Sequence, residues 1–258
     1  MSYAALSSAL SSTLSSESQW SHLKPIDVVA YDACVASQIE VLHTWRPVAD
    51  YYAGSQDYVG WGGVDYATVI GTIRADASVT PQELAVLIAQ SMLRDPDDTC
   101  ASALLLGRGS GEGEGEGGGF GSAFDEVVDR VDTLAQLFIG QLDSYRRGLI
   151  EVRAASAQVP NFRGDEFHRD LFSIADGILK QKELSTNSDI VKAASDIIAS
   201  LRTAVLFNEV KSGRDGKSCE GGHGLTIYWP ESGSPPSADY LGTSFALATH
   251  WDEFLSIF

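Results

Sequence analysis

The chain has 258 residues and a formal net charge of −17, with 44% apolar and 21% charged residues, the make-up of an ordinary globular protein with enough length for a sizeable core. The acidic balance argues against nucleic acid as a partner, because phosphate contacts need basic surface, and it suits the attraction of basic ligands or substrates. No stretch approaches transmembrane length and Met1 opens directly onto Ser, Tyr, Ala and Leu, so neither a membrane partner nor a signal peptide is expected, while the compartment is left open.

Taken in chain order, Tyr3 to Ser16 reads as a helix, with Ala5, Leu6, Leu10 and Leu14 at helical spacing. Pro25 to Tyr31 is nearly continuous in apolar, β-branched residues, the pattern of a strand covered on both faces of a parallel sheet. Val35 to Trp45 reads as the helix that follows, stopped by Pro47. Asp50 to Gly54 is a short strand, followed by a glycine-rich loop over Gly54 to Gly63. Val64 to Arg74 and Pro81 to Leu93 read as helices, the second with Thr80 as N-cap, Pro81 at the first helical position and Glu83 at the third. Cys100 to Leu106 is strand-like again, so strands alternate with helices and an α/β layer architecture follows.

Gly107 to Gly121, GRGSGEGEGEGGGFG, is the low-complexity segment and reads as a mobile acidic linker that could be deleted without loss of stability. Beyond it, Ala123 to Ala157 reads as a long helix broken near Gly140 or Gly148, and Asp165 to Lys182 and Ser188 to Val210 as two more. Gly224 to Pro230 reads as a late strand and Phe245 to Phe258 as a closing helix. The expected organisation is therefore a cysteine-bearing core over 1–106, a Gly/Glu-rich loop over 107–121, and a helical region over 122–258 that returns to the core.

The three cysteines, Cys34, Cys100 and Cys219, are too few and too scattered for a disulfide framework, and without a CxxC pair a structural zinc site has no starting point. Cys34 is the informative one. It follows the first strong strand directly, at the edge where open parallel sheets bind ligands, and precedes a helix whose amides and dipole would favour a thiolate. A small cysteine at a strand end is more often a packing residue. Asp32 points to the same side of an extended strand and opposes thiolate formation, which makes sense where it meets a cationic substrate group. Otherwise Asp32 is a loop-starting carboxylate bonded to local amides.

Ile26-Asp27-Val28-Val29-Ala30-Tyr31-Asp32-Ala33-Cys34 resembles the strand and Asp-Ala-Cys segment of the clostripain family of cysteine peptidases. The resemblance continues in order through Val48 to Asp57, Gly60-Trp61, Asp65-Tyr66, Thr80 to Ala85, Gly224 to Pro230 and Thr249 to Phe254. It implies a caspase-like α/β fold with a mostly parallel, helix-flanked sheet, here without its first strands. It also implies peptide-bond hydrolysis after Arg or Lys by a Cys-His dyad, with Cys34 as nucleophile, Asp32 in the specificity pocket and Asp57 as a second pocket carboxylate. No redox or nucleotide cofactor is implied. Calcium is compatible, since the family's type member depends on it, although no ligand set is readable.

Two departures stand out: Gln56 occupies the position of a family Glu, and the family's His-Gly pair, which precedes the cysteine strand, has no counterpart. His22 reads as a surface residue of a polar turn, and His43, His168 and His250 fall on expected helices; His223, in Gly-Gly-His-Gly, is the one beside flexible glycines at a strand start. The expected partners are thus a peptide or protein substrate bearing Arg or Lys and an N-terminal chain carrying the catalytic histidine. On this reading the chain alone is inactive. The rival reading is a non-catalytic relative that works as a binding or regulatory module.

Overall fold

The structure is a computed structural model that describes residues 8–10, 12, 26–94, 100–107, 122–159, 167–211 and 219–258. Most of the first expected helix, His22 and nearly all of the Gly107–Gly121 linker lie outside the described residues.

The chain runs β1 (Ile26–Ala30), α1 (Ile39–Trp45), β2 (Ala49–Gly54), α2 (Tyr66–Ala75), α3 (Pro81–Met92) and β3 (Cys100–Leu105). It continues with α4 (Ala123–Ala155), β4 (His168–Asp170), α5 (Leu171–Lys180), α6 (Ser188–Ala204), β5 (Val205–Val210), β6 (Thr226–Tyr228), α7 (Ala238–Leu241) and α8 (Trp251–Ile257). The main sheet has the order β1-β2-β3-β5, and β4 pairs β6 in a second, two-stranded sheet.

The α/β layering expected from the sequence is present, with a mixed sheet in place of a mostly parallel one. β1 and β2 are parallel, Val28 opposite Tyr51, whereas β3 is antiparallel to both β2 and β5. The reason lies in the connections. One helix between β1 and β2 returns the chain to its starting end, as a crossover requires. Two helices between β2 and β3 deliver it to the opposite end, and β3 runs backwards.

Alternation along the strands divides the core between the two faces of the sheet. Tyr51, Ala53, Ala101 and Ala103 pack with Val69, Ala85, Ala89 and Met92 of α2 and α3. Tyr52 and Leu104 face the larger cluster, with Phe124, Val127, Leu134, Ile197 and Leu201 of α4 and α6. α3 starts where its sequence says, with Thr80 and Glu83 exchanging both bonds of a capping box and Pro81 at its start. α4 opens on a second capping box, Ser122 with Asp125, and bends at Gln141 (φ −137°, ψ 18°), next to Gly140 where a break was expected.

Val205–Val210 corrects the sequence reading. The expected helix to Val210 ends at Ala204, and the next six residues, with Val205, Phe207 and Val210 of high strand propensity, form β5 against β3. His168, expected on a helix, lies in β4, and the closing helix is split into a short 3-10 turn, Ala246–Ala248, and α8.

β1 is the outermost strand. Among the described residues it pairs only with β2, and Asp27 and Ala30 are exposed while Ile26, Val28 and Val29 are half-buried. Its sequence is that of an interior strand, so its free edge is a mismatch between composition and burial. Among the described residues no helix is long and apolar enough to cross a membrane.

Candidate active site

Because β1 and β2 are parallel, β3 reversed and β5 reversed again, the ends of β1, β2 and β5 and the start of β3 share one edge of the sheet. Every candidate functional residue of the sequence that the structure describes on these strands or just beyond them gathers there. The loop after β1 is tied to the turn after β2 by Val35 N donating to the Asp57 carbonyl (2.9 Å) and by the Ala36 and Ser37 amides donating to the Ser55 carbonyl. β6 is joined to the same loop by Thr226 N donating to the Ser37 carbonyl (3.0 Å).

Cys34 is exposed and is the free cysteine among the described residues. Its sulfur lies 3.4 Å from the Val59 amide, which donates to it. It does not adjoin a helix start, contrary to the sequence reading. α1 begins at Ile39 behind Gln38, and the intervening turn places Val35 in the left-handed region at φ 54°. A β-branched residue there is strained backbone, which here lets the chain reverse straight after the cysteine.

Asp32 is also exposed, and each of its oxygens accepts from the turn that leads into α2. The Val64 amide donates to Oδ1 (3.2 Å) and the Tyr66 hydroxyl to Oδ2 (2.9 Å). Gly63, at φ 55°, lies flat on this carboxylate; a Cβ there would collide with both of its oxygens. Asp57 is buried at 3% exposure, and its main chain shapes the site, the amide donating to Ser55 Oγ and the carbonyl accepting from Val35.

A constellation that the sequence did not disclose lies on the same edge. Asp170, fully buried, accepts from Gln56 Nε2 (3.1 Å), the Ser173 amide (2.8 Å), the His223 amide (2.7 Å) and His223 Nδ1 (2.9 Å). The His223 ring stacks on Phe172, centroids 4.3 Å apart. Asp170 is the chief cause that raises the His223 pKa above its ordinary value, opposed by partial burial. The one readable signal was Asp170 with Ser173, an N-cap pattern hidden by the expectation of a helix from Asp165.

This arrangement also accounts for Gln56. Its Nε2 donates to Asp170 while its Oε1 accepts from the Gly224 amide (2.7 Å), both in a buried setting. A glutamate would set a second carboxylate against Asp170 with no proton to share. The amide supplies the donor and the acceptor that the site needs.

The other histidines stand apart from this edge chemistry. His43 is buried; burial, then Arg46, lower its pKa to about 4, and Nδ1 lies 2.9 Å from Ser244 Oγ. His250 precedes α8 and bonds Asp132.

The three cysteines, read as too few and too scattered for a disulfide framework, nonetheless supply one bridge. Cys100 and Cys219 form a disulfide, Cα atoms 5.9 Å apart and 119 residues apart in sequence. It fastens the segment carrying His223 to the start of β3. Spacing could not reveal it, because the sheet and not the sequence brings the pair together. Among the described residues no group of three or more His, Cys, Asp or Glu side chains is placed to hold a metal ion.

The sequence model of the clostripain family matches residues 2–257. No curated protein matches. Among solved structures, a cysteine protease of B. fragilis is 14% identical with a TM-score of 0.59, over 100% of this chain and 96% of that one. A clostripain from Bacteroides thetaiotaomicron, in complex with a peptide inhibitor, is 13% identical with a TM-score of 0.61, over 96% of this chain and 94% of that one. An inactive zymogen protease from Parabacteroides distasonis is 18% identical with a TM-score of 0.61, over 95% of this chain but 61% of that one. At such identities the likeness is one of fold, the layered caspase-like α/β fold.

Proposed function

Since the chain belongs to the clostripain family of cysteine peptidases, we propose that Cys34 is the nucleophile of an endopeptidase that cleaves after Arg or Lys. The observation that carries the proposal is the placement of an exposed, unbridged thiol and an exposed carboxylate, Asp32, two residues apart at one sheet edge. The Cys34 thiolate attacks the scissile carbonyl, the amine leaves with a proton, and water hydrolyses the acyl-enzyme. Asp32 meets the cationic side chain before the scissile bond, and Asp57, behind the Cys34 turn, adds a second negative charge to the pocket.

The dyad needs an imidazole to take the thiol proton and return it to the leaving amine. His223 is engaged by Asp170 and Phe172, and the Cys34 sulfur by Val59. We assign the histidine to a strand that pairs along the edge of β1 that no described strand occupies, supplied by an accompanying N-terminal segment. The half-exposed, β-branched β1 supports this, because a strand laid along it would end beside Cys34.

The test is hydrolysis of an Arg-containing reporter peptide by the 258-residue chain, alone and with a family strand bearing the His-Gly pair fused ahead of β1 or added in trans. The chain alone should show no appreciable turnover, the added strand should raise it by orders of magnitude, and Cys34→Ala should abolish the gain. Robust Cys34-dependent turnover by the chain alone would move the base to His223. Failure of every combination would favour a binding module.

A further inference from the structure

We propose that Tyr66 is a specificity-determining positioning residue, whose hydroxyl fixes the plane of the Asp32 carboxylate so that the pocket prefers a guanidinium over an ammonium. This rests on the reading of Asp32 as the pocket carboxylate.

An exposed aspartate ordinarily turns freely about its last torsion, which is broad and two-fold. Asp32 is held at both oxygens, by the Val64 amide on Oδ1 and by the Tyr66 hydroxyl on Oδ2. Both donors come from one turn, and that turn can lie so close only because Gly63 carries no Cβ. With one donor taken by each oxygen, one acceptor site remains on each. Two acceptors in a fixed plane are what a guanidinium fork requires. An ammonium, a point charge with freely turning donors, gains little from that plane.

Tyr66 is suited to this part. It is 56% exposed, so the bond to Asp32 and not burial holds its hydroxyl in place. The same bond, then desolvation and the charge of Asp32, raise the Tyr66 pKa above its ordinary value of 10, so the group is a protonated donor at neutral pH. The two exposed side chains leave the carboxylate open to a ligand from solvent.

The experiment is calorimetric titration of the 258-residue chain with N-acetylarginine amide and N-acetyllysine amide, each carrying one cation and needing no turnover. Wild type should bind the arginine compound more tightly. Tyr66→Phe, which keeps the ring, should weaken arginine binding about three- to tenfold, the worth of one hydrogen bond, and lysine binding less than about twofold. Asp32→Asn should remove most affinity for both. Equal loss of both ligands in Tyr66→Phe, the mark of a merely structural role, or no loss at all, overturns the assignment of Tyr66 while Asp32 keeps its own. Unchanged binding in Asp32→Asn overturns the pocket itself.

Discussion

Replacing Asp170 with alanine removes the acceptor for four N–H groups at once, from Gln56, Ser173 and the amide and ring of His223. Each such bond to a carboxylate is worth about 1.5–3 kcal/mol, but the four do not add. The His223 ring is half-exposed and can turn to water, and the Ser173 amide opens α5, where losing a cap costs about 1 kcal/mol. Gln56 has no such escape, since it is 1% exposed. Breaking a buried charged network of this kind destabilises by about 3–5 kcal/mol, and for a chain of this size the melting temperature should fall by roughly 10 °C. The effect has a pH signature. Asp170 raises the His223 pKa, so the imidazolium's contribution is full below its ordinary value of 6.5 and is lost as pH rises through the raised value. The gap between wild type and Asp170→Ala should therefore be wider at about pH 6 than at about pH 9. Thermal melts at both values, with NMR titration of His223, measure this. A fall below about 3 °C, or a gap that widens with pH, would refute the network reasoning.

Two further outcomes follow from buried groups. Alkylation should label Cys34 alone before reduction and all three cysteines after it; by the chain-entropy account a loop of 119 residues contributes about 4–5 kcal/mol, so a melt indifferent to dithiothreitol would contradict the bond. Burial raises the pKa of Glu40 above 4.5, and its Oε2 has no hydrogen-bond partner among the described residues, so the fold loses stability as pH climbs past that value. Glu40→Gln should therefore match or exceed wild type at neutral pH, with the difference closing near pH 4; a loss above about 1 kcal/mol would show the carboxylate to be needed as such.

What the sequence made legible was local. Ile26 to Ala30 is rich in β-branched residues, and Thr80, Pro81 and Glu83 spell a helix start, so β1 and α3 appear where their residues put them. Asp32 and Cys34 lie close enough in the chain for their common edge to follow from one strand. What stayed hidden depends on distant partners. Val205 to Val210 continues the helical stripe of α6 and becomes a strand only because β3, a hundred residues earlier, offers a free side. The constellation of Gln56, Asp170 and His223 draws on three separate segments, which alone read as a glycine-rich loop, a helix and a strand start. The turn after Cys34 was missed because Val35, a poor candidate for positive φ, takes that conformation under tertiary constraint.

The Cys100–Cys219 bond makes the intervening chain a covalent ring. One backbone cut anywhere inside that ring, the Gly/Glu-rich stretch included, changes the connectivity of the molecule without dividing it. The fragments would run as one species until reduced, and His223 would stay moored to β3 throughout. A cut between Cys34 and Cys100 meets no such safeguard: the nucleophile's segment would then be held to the rest by packing and hydrogen bonds alone.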